Sequence, residues 1–134
     1  MARETTLPRM LWPLMDGASV DTPYCCVCGR TDLPLNRHHV VRRAAGSLYR
    51  DGVEVPKPTL MLCGSGNGSG CHRLAHQNRL HFRWVASRPD FKGRSSPDGG
   101  HWEFALFDSP TRYSEALERG EWHSLRGPAP DFQG

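Results

Sequence analysis

Thiols and imidazoles gather in three short stretches of this 134-residue chain. They are Cys25-Cys26-Val27-Cys28, Arg37-His38-His39, and the run from Cys63 through Cys71-His72-Arg73-Leu74-Ala75-His76. Cys25-x-x-Cys28-Gly29 has the form of a metal knuckle, in which two thiolates reach one ion while a glycine turns the backbone behind them. Cys63 and Cys71 are separated by a seven-residue spacer of Gly, Ser and Asn, read as flexible slack that lets both close on the same ion. Cys26 lies between two ligands and is expected to point away. A redox Cys-x-x-Cys is the rival reading, but no thioredoxin-like strand–helix pattern surrounds it.

The imidazoles carry a second chemistry. His72 and His76 are four residues apart, so on a helix they lie on one face, one turn apart, and present two nitrogens to a single cation. His38 and His39 are adjacent on an expected strand, Asn36–Arg43, and so face opposite sides; one can ligate while the other faces a substrate. His101 and His123 lack partners at ligand spacing and are read as structural.

Elements must position these groups. Residues 1–24 read as an irregular lead-in and residues 25–80 as the core unit. Within that unit, 44–58 carries the loop signals Gly46, Asp51-Gly52, Pro56 and Pro58. Thr59-Leu60-Met61-Leu62 is the returning strand, and a helix is expected from Cys71 through Arg79 with no breaker before His81. Residues 81–126 read as support: His81–Val85 and Trp102–Phe107 alternate as strands, flanking a polar loop around 87–100. Ser109-Pro110 is expected to open a helix that Gly120 closes, with Tyr113, Ala116 and Leu117 on its apolar stripe. Residues 127–134 are expected to fray. The fold class that follows is α+β: a small zinc-stapled ββα unit with a C-terminal β-hairpin plus helix extension.

Composition narrows the classes. Apolar residues make up 37% of the chain, against 14 glycines and 11 prolines, so a core this lean calls for a metal or covalent staple. Five cysteines is an odd number, which disfavours a complete disulfide framework. No signal-peptide run and no transmembrane length are visible, so the expected location is the cytosol (the host's, if the chain is phage-encoded), with no membrane partner and no glycan on Asn67. The net charge of +3 is uneven: residues 30–94 hold twelve Lys/Arg against four acids, +8, leaving −5 elsewhere. A basic middle around the Cys/His groups fits a polyanionic partner.

The order Cys-x-x-Cys, His-His, Leu-Cys, Cys-His-x-x-x-His resembles the HNH (ββα-metal) endonucleases, above all their four-cysteine, zinc-containing members of phage type. The resemblance covers about residues 25–78. A four-cysteine framework is shared with many zinc modules; the His-His pair inside it and the His-x-x-x-His after it make the match specific. It implies a structural Zn2+ on Cys25, Cys28, Cys63 and Cys71, and a catalytic divalent cation on His38, His72 and His76. That cation would be Zn, Ni, Co, Mn or Mg, an all-imidazole set suiting Mg least. It implies His39 as the general base that activates water for DNA phosphodiester hydrolysis, a role imidazole suits because its ordinary pKa lies near neutrality. Arg37, Arg42, Arg43, Arg73 and Arg79 would contact phosphates, positioning DNA without reading its sequence. Phage packaging proteins such as a terminase are the partners the resemblance adds. Two departures stand out. Where the family carries the asparagine that braces the base loop, this chain has Pro58 or Thr59, and the spacer before Cys71 exceeds the usual two residues. The alternative is a non-catalytic zinc-binding nucleic-acid module, or a degenerate HNH scaffold.

Overall fold

The computed structural model describes residues 7–42, 46–50, 52–65, 68–87 and 99–125. Arg43, Asp51, Asn67, most of the polar loop around 87–100 and the tail from 127 lie outside the described residues. The described residues form a small mixed α/β structure of short antiparallel sheets with two α-helices and a 3-10 segment.

The central frame is a two-stranded ladder and a helix. β1 (Leu35–His39) pairs antiparallel with β4 (Thr59–Cys63), with His38 opposite Leu60 and His39 opposite Thr59. Paired residues share a face, so His38 stands with Leu60 and Leu62, which are fully buried, while His39 and Arg37 stand on the other side. The strand is shorter than the expected Asn36–Arg43. After His39 only Val40 continues the pairing, donating to the Pro58 carbonyl at 3.1 Å.

α1 (Gly70–His76) follows β4 and packs between it and β5 (Leu80–Ala86). It stops sooner than expected, because Asn78 takes a left-handed conformation (φ 58), which Asn tolerates better than other non-glycine residues. Arg79 therefore lies beyond the helix.

Beside the short β7 described below, two further regions depart from the expected layout. The stretch 44–58, read as loop, contains a small hairpin: β2 (Leu48–Arg50) pairs with β3 (Val53–Val55), and Gly52 turns it at φ 80. Leu48 plugs the core from this hairpin. Three-residue strands are too short to show a period, and the prolines beside them signal only a break. The lead-in is likewise not irregular. Arg9–Asp16 forms a 3-10 segment that buries Leu14 and Met15, and Val20 then makes a parallel bridge to Leu60. Pro13 within it removes a backbone donor, which suits this short, loosely bonded helix type.

The C-terminal part clamps this assembly. β5 pairs antiparallel with β6 (Gly100–Leu106), and β7 (His123–Ser124) adds to the β6 edge. Phe82, Trp84, Trp102 and Phe104 alternate onto the core face, and the Trp102 indole donates to the Ala18 carbonyl at 2.6 Å. α2 (Tyr113–Arg119) starts three residues after Pro110, not at it. The delay has a tertiary cause: the Thr111 amide donates to the Asn78 carbonyl at 2.8 Å, holding the lead-in to α2 against the end of α1. Gly120 closes this helix as expected, and Ala116 is its buried contact.

Candidate metal centres and the histidine cleft

The four cysteines Cys25, Cys28, Cys63 and Cys71 converge, with ligand sulfurs all within 4.8 Å of one another. A tetrahedral zinc–thiolate site with bonds of about 2.3 Å has edges of about 3.8 Å. The Cys28 and Cys63 sulfurs are 3.7 Å apart, so the cluster is compatible with zinc. Local backbone explains why these residues meet. Gly29 adopts φ 78, closing the knuckle so that its amide donates to the Cys25 carbonyl at 2.8 Å. Across the spacer, the ends are tight where slack was expected. Gly64 (φ 87) and Gly70 (φ 67) let the two ends of the spacer approach so closely that a Cβ on Gly70 would collide with the Cys63 carbonyl. The Cys71 amide then donates to the Cys63 sulfur at 3.4 Å, the kind of contact that stabilises a thiolate.

Electrostatics describe the crowding of sulfur. A hydrogen bond with Cys71 pulls Cys25 down to about 4 and pushes Cys71 up. Cys28 is raised to about 11, chiefly by burial. Four thiolates in this space need a cation to coexist. Cys26, the spare, is fully packed in the core and outside the cluster, and burial lifts its thiol to about 12. It behaves as a small apolar residue.

Beside the cysteines lies a second convergence. His38, His72 and His76 offer nitrogens within 4.8 Å of one another. The rings of His72 and His76 are 4.9 Å apart, centroid to centroid, and His38 is 5.3 Å from His72. Cys71 and His72 are adjacent, so one turn of α1 belongs to both clusters. Phe82 backs the His38 ring at 5.8 Å. Burial first, then His72 and its neighbours, lowers His38 to about 3 and keeps it neutral, the form a ligand must have. His72 is lowered as well, again first by burial. Its Nδ1 is buried with no hydrogen-bond partner, an orphaned acceptor or donor of the kind that an ion or ordered water satisfies. The donor set and the orphaned nitrogen both fit a divalent cation.

These rings open into a cleft of about 510 Å³ that His39, Arg37 and Arg42 also line. β1 is an edge strand, so side chains from both of its faces reach the cleft around the edge; this is how His38 and His39 share it despite pointing apart. Arg37 is ion-paired with Asp21 at 3.1 Å, and Arg42 donates to the Asn78 side chain at 3.2 Å. Arg73 is exposed on α1 but does not line the cleft. Arg79 does not line the cleft either; its Nε donates to the Phe107 carbonyl at 3.1 Å. Arg43 lies outside the described residues.

At the position of the expected brace, Thr59 faces His39 across the ladder. Its amide donates to the Ser19 hydroxyl at 3.0 Å and its carbonyl accepts from Val20 at 2.9 Å. Pro58 is buried, and its carbonyl holds Val40, the residue after His39. The main chain on either side of the His39–Thr59 pair is thus tied down.

Two polar residues escaped the sequence reading. The Asn36 amide donates to the Gly64 carbonyl at 2.8 Å, fastening β1 to the turn after Cys63. His81, read only as a strand residue, is buried; its Nε2 lies 2.7 Å from the Thr111 carbonyl and 3.0 Å from that of Asn78. Neither has a ligand-spacing signal; their roles depend on which distant carbonyl the fold brings up. His101 pairs with Glu103 at 3.1 Å, and His123 stacks at 5.8 Å from Phe104, both away from the clusters.

No protein-family model, curated protein or solved structure matches the chain. Among the described residues no helix is long and apolar enough to cross a membrane.

Proposed function

We propose that the chain is a metal-dependent DNA endonuclease of HNH (ββα-metal) type, stapled by a structural zinc on Cys25, Cys28, Cys63 and Cys71. The observation that carries this reading is the convergence of His38, His72 and His76 in an open cleft that His39 and two arginines share. A purely structural zinc module has no use for four further imidazoles placed this way.

A divalent cation held by His38, His72 and His76 would supply positive charge to the scissile phosphate and its leaving oxygen. His39 stands apart from that trio, on the opposite face of β1, and takes the proton of the attacking water. Arg37 and Arg42 hold flanking phosphates and set the strand's position without reading its bases. The main-chain ties at Pro58 and Thr59 keep the His39 segment in place, the task the family gives to an asparagine. DNA, and a phage packaging protein such as a terminase, are the partners this reading implies.

The second reading, a zinc-binding nucleic-acid module without catalysis, is favoured by one observation, the Pro58-Thr59 sequence at the brace position. Plasmid cleavage separates the two. Purified protein is incubated with supercoiled DNA under EDTA and under Mg, Mn, Co, Ni and Zn, beside His39→Ala. Metal-dependent nicking that disappears in the variant supports the nuclease. Binding without cleavage under every metal identifies the module.

A further inference from the structure

A second cavity, of about 410 Å³, adjoins the histidine cleft and shares His38, His39, Arg42 and Ala75 with it. Its character is different. Leu14 and Phe82 are buried at its floor, and Leu11 from the 3-10 segment and Tyr113 from α2 line it further. The Tyr113 hydroxyl donates to the Phe82 carbonyl at 2.7 Å, which fixes the phenol ring in place. Exposed Arg42 and Arg112 are the cations of its lining. The cavity is therefore a largely apolar slot with Phe82 and Tyr113 in its wall, Asn78 and Thr111 at its polar side and cations beside it, next to the place where the scissile phosphate lies under the nuclease reading.

That combination matches one chemical object. A nucleotide carries a flat, weakly polar base within one sugar of an anionic phosphate. Bases stack on aromatic and apolar side chains when they are free to leave their own stack, and arginines hold the phosphates beside them. A paired base in a duplex cannot enter such a slot without being extruded, at the cost of its stacking and pairing. We infer that this cavity receives the unstacked base of a nucleotide flanking the scissile phosphate. The preferred substrate is then a single strand or a locally unpaired duplex. This inference rests on the nuclease reading and names the substrate class of that same cleft.

The test uses the full chain, zinc-loaded, with four substrates: bis(p-nitrophenyl) phosphate, a single-stranded oligonucleotide, its duplex, and single strands carrying one abasic residue at successive positions. Hydrolysis of the small diester, which has no base, establishes the phosphodiester chemistry of the nuclease reading independently of the cavity. The expected result is that the single strand is cut with kcat/KM at least about tenfold above the duplex. An abasic residue at one flanking position should lower it by about tenfold, the effect of losing one stacked base. Leu11→Trp, which fills the slot from its partly exposed wall, should cut normal and abasic strands alike. Equal cutting of normal and abasic strands by the unmodified protein, or of single strand and duplex, overturns the inference. If no substrate is hydrolysed, the nuclease reading fails and the slot is read by binding alone. Fluorescence anisotropy of normal and abasic strands without added divalent ion then decides: tighter binding of the normal strand supports a base site, and equal affinity removes it.

Discussion

The cysteine cluster and the histidine cluster share a turn of α1, yet they are built on opposite plans. Three of the four cysteines are buried, the sulfurs are packed against one another, and backbone amides already point at them. The three histidines sit at the wall of an open cleft, with His76 exposed and a ring nitrogen of His72 left without a partner. A closed set of four donors leaves an ion nothing to do but hold the chain together, whereas three donors at a solvent-facing wall leave positions for substrate and water. The difference teaches how a lean chain can place two donor sets: Cys71 belongs to the same turn of α1 from which His72 and His76 project.

The comparison breaks most visibly at the cysteines. Cys63→Ser should lose its zinc and its cooperative melting, because structural zinc contributes about 10–16 kcal/mol in small domains, as much as or more than the whole stability of most. Circular dichroism and metal analysis check this, and a soluble, cooperative, zinc-free Cys63→Ser protein would sink the structural role. At the cleft the same removal of one side chain should spare the fold. His39→Ala is expected to lower plasmid cleavage about 10²- to 10⁴-fold, the usual worth of a positioned base, with zinc content and melting temperature unchanged. Retained cleavage would reassign the base.

A smaller effect concerns His81, which belongs to neither centre but lies against the carbonyls of Asn78 and Thr111, where α1 ends and α2 begins. Burial, partly offset by those two carbonyls, lowers its pKa from the ordinary 6.5. The folded state therefore binds fewer protons there than the unfolded chain. The associated stability is complete above about pH 6.5 and is lost as pH falls through the lower folded value. With zinc in excess, the fall in melting temperature from pH 7 toward pH 5 should be shallower in His81→Gln than in the parent protein. Identical slopes would show that this imidazole is not kept neutral. The smallest effect is expected at Arg42, whose side chain is exposed and pairs only with Asn78 among the contacts described. Arg42→Ala should weaken DNA binding and reduce its salt slope by about one, as loss of a single phosphate contact does; an unchanged slope would place the phosphates elsewhere.

The sequence disclosed both clusters because ligand geometry is local. Cys25-x-x-Cys28 and His72-x-x-x-His76 are set by one knuckle and one helical turn, and the strand Thr59–Cys63 shows as a short apolar run. What stayed hidden depended on distant partners. Nothing in Leu48-Tyr49-Arg50 or Val53-Glu54-Val55 announces strands, since each gains its order from the other. The 3-10 segment has no clean period, and the stretch that follows it is tied at Ala18 and Val20 to Trp102 and Leu60, far along the chain. The spacer after Cys63 looked slack because glycine signals freedom. In the fold Gly64 and Gly70 are used for close approach instead. Charge alone marks Arg79 as a phosphate contact, whereas in the fold its Nε is engaged by the Phe107 carbonyl.

A chelator titration tests most directly whether the two centres do separate work. Metal-loaded protein is exposed to increasing concentrations of a weak chelator, and plasmid nicking and melting temperature are read from the same samples. Nicking should disappear while the melting temperature holds, with about one zinc per chain retained on the four cysteines. Nicking and melting that fall together, or nicking that survives after every ion but that zinc is gone, would contradict the division between a closed structural centre and an open working one.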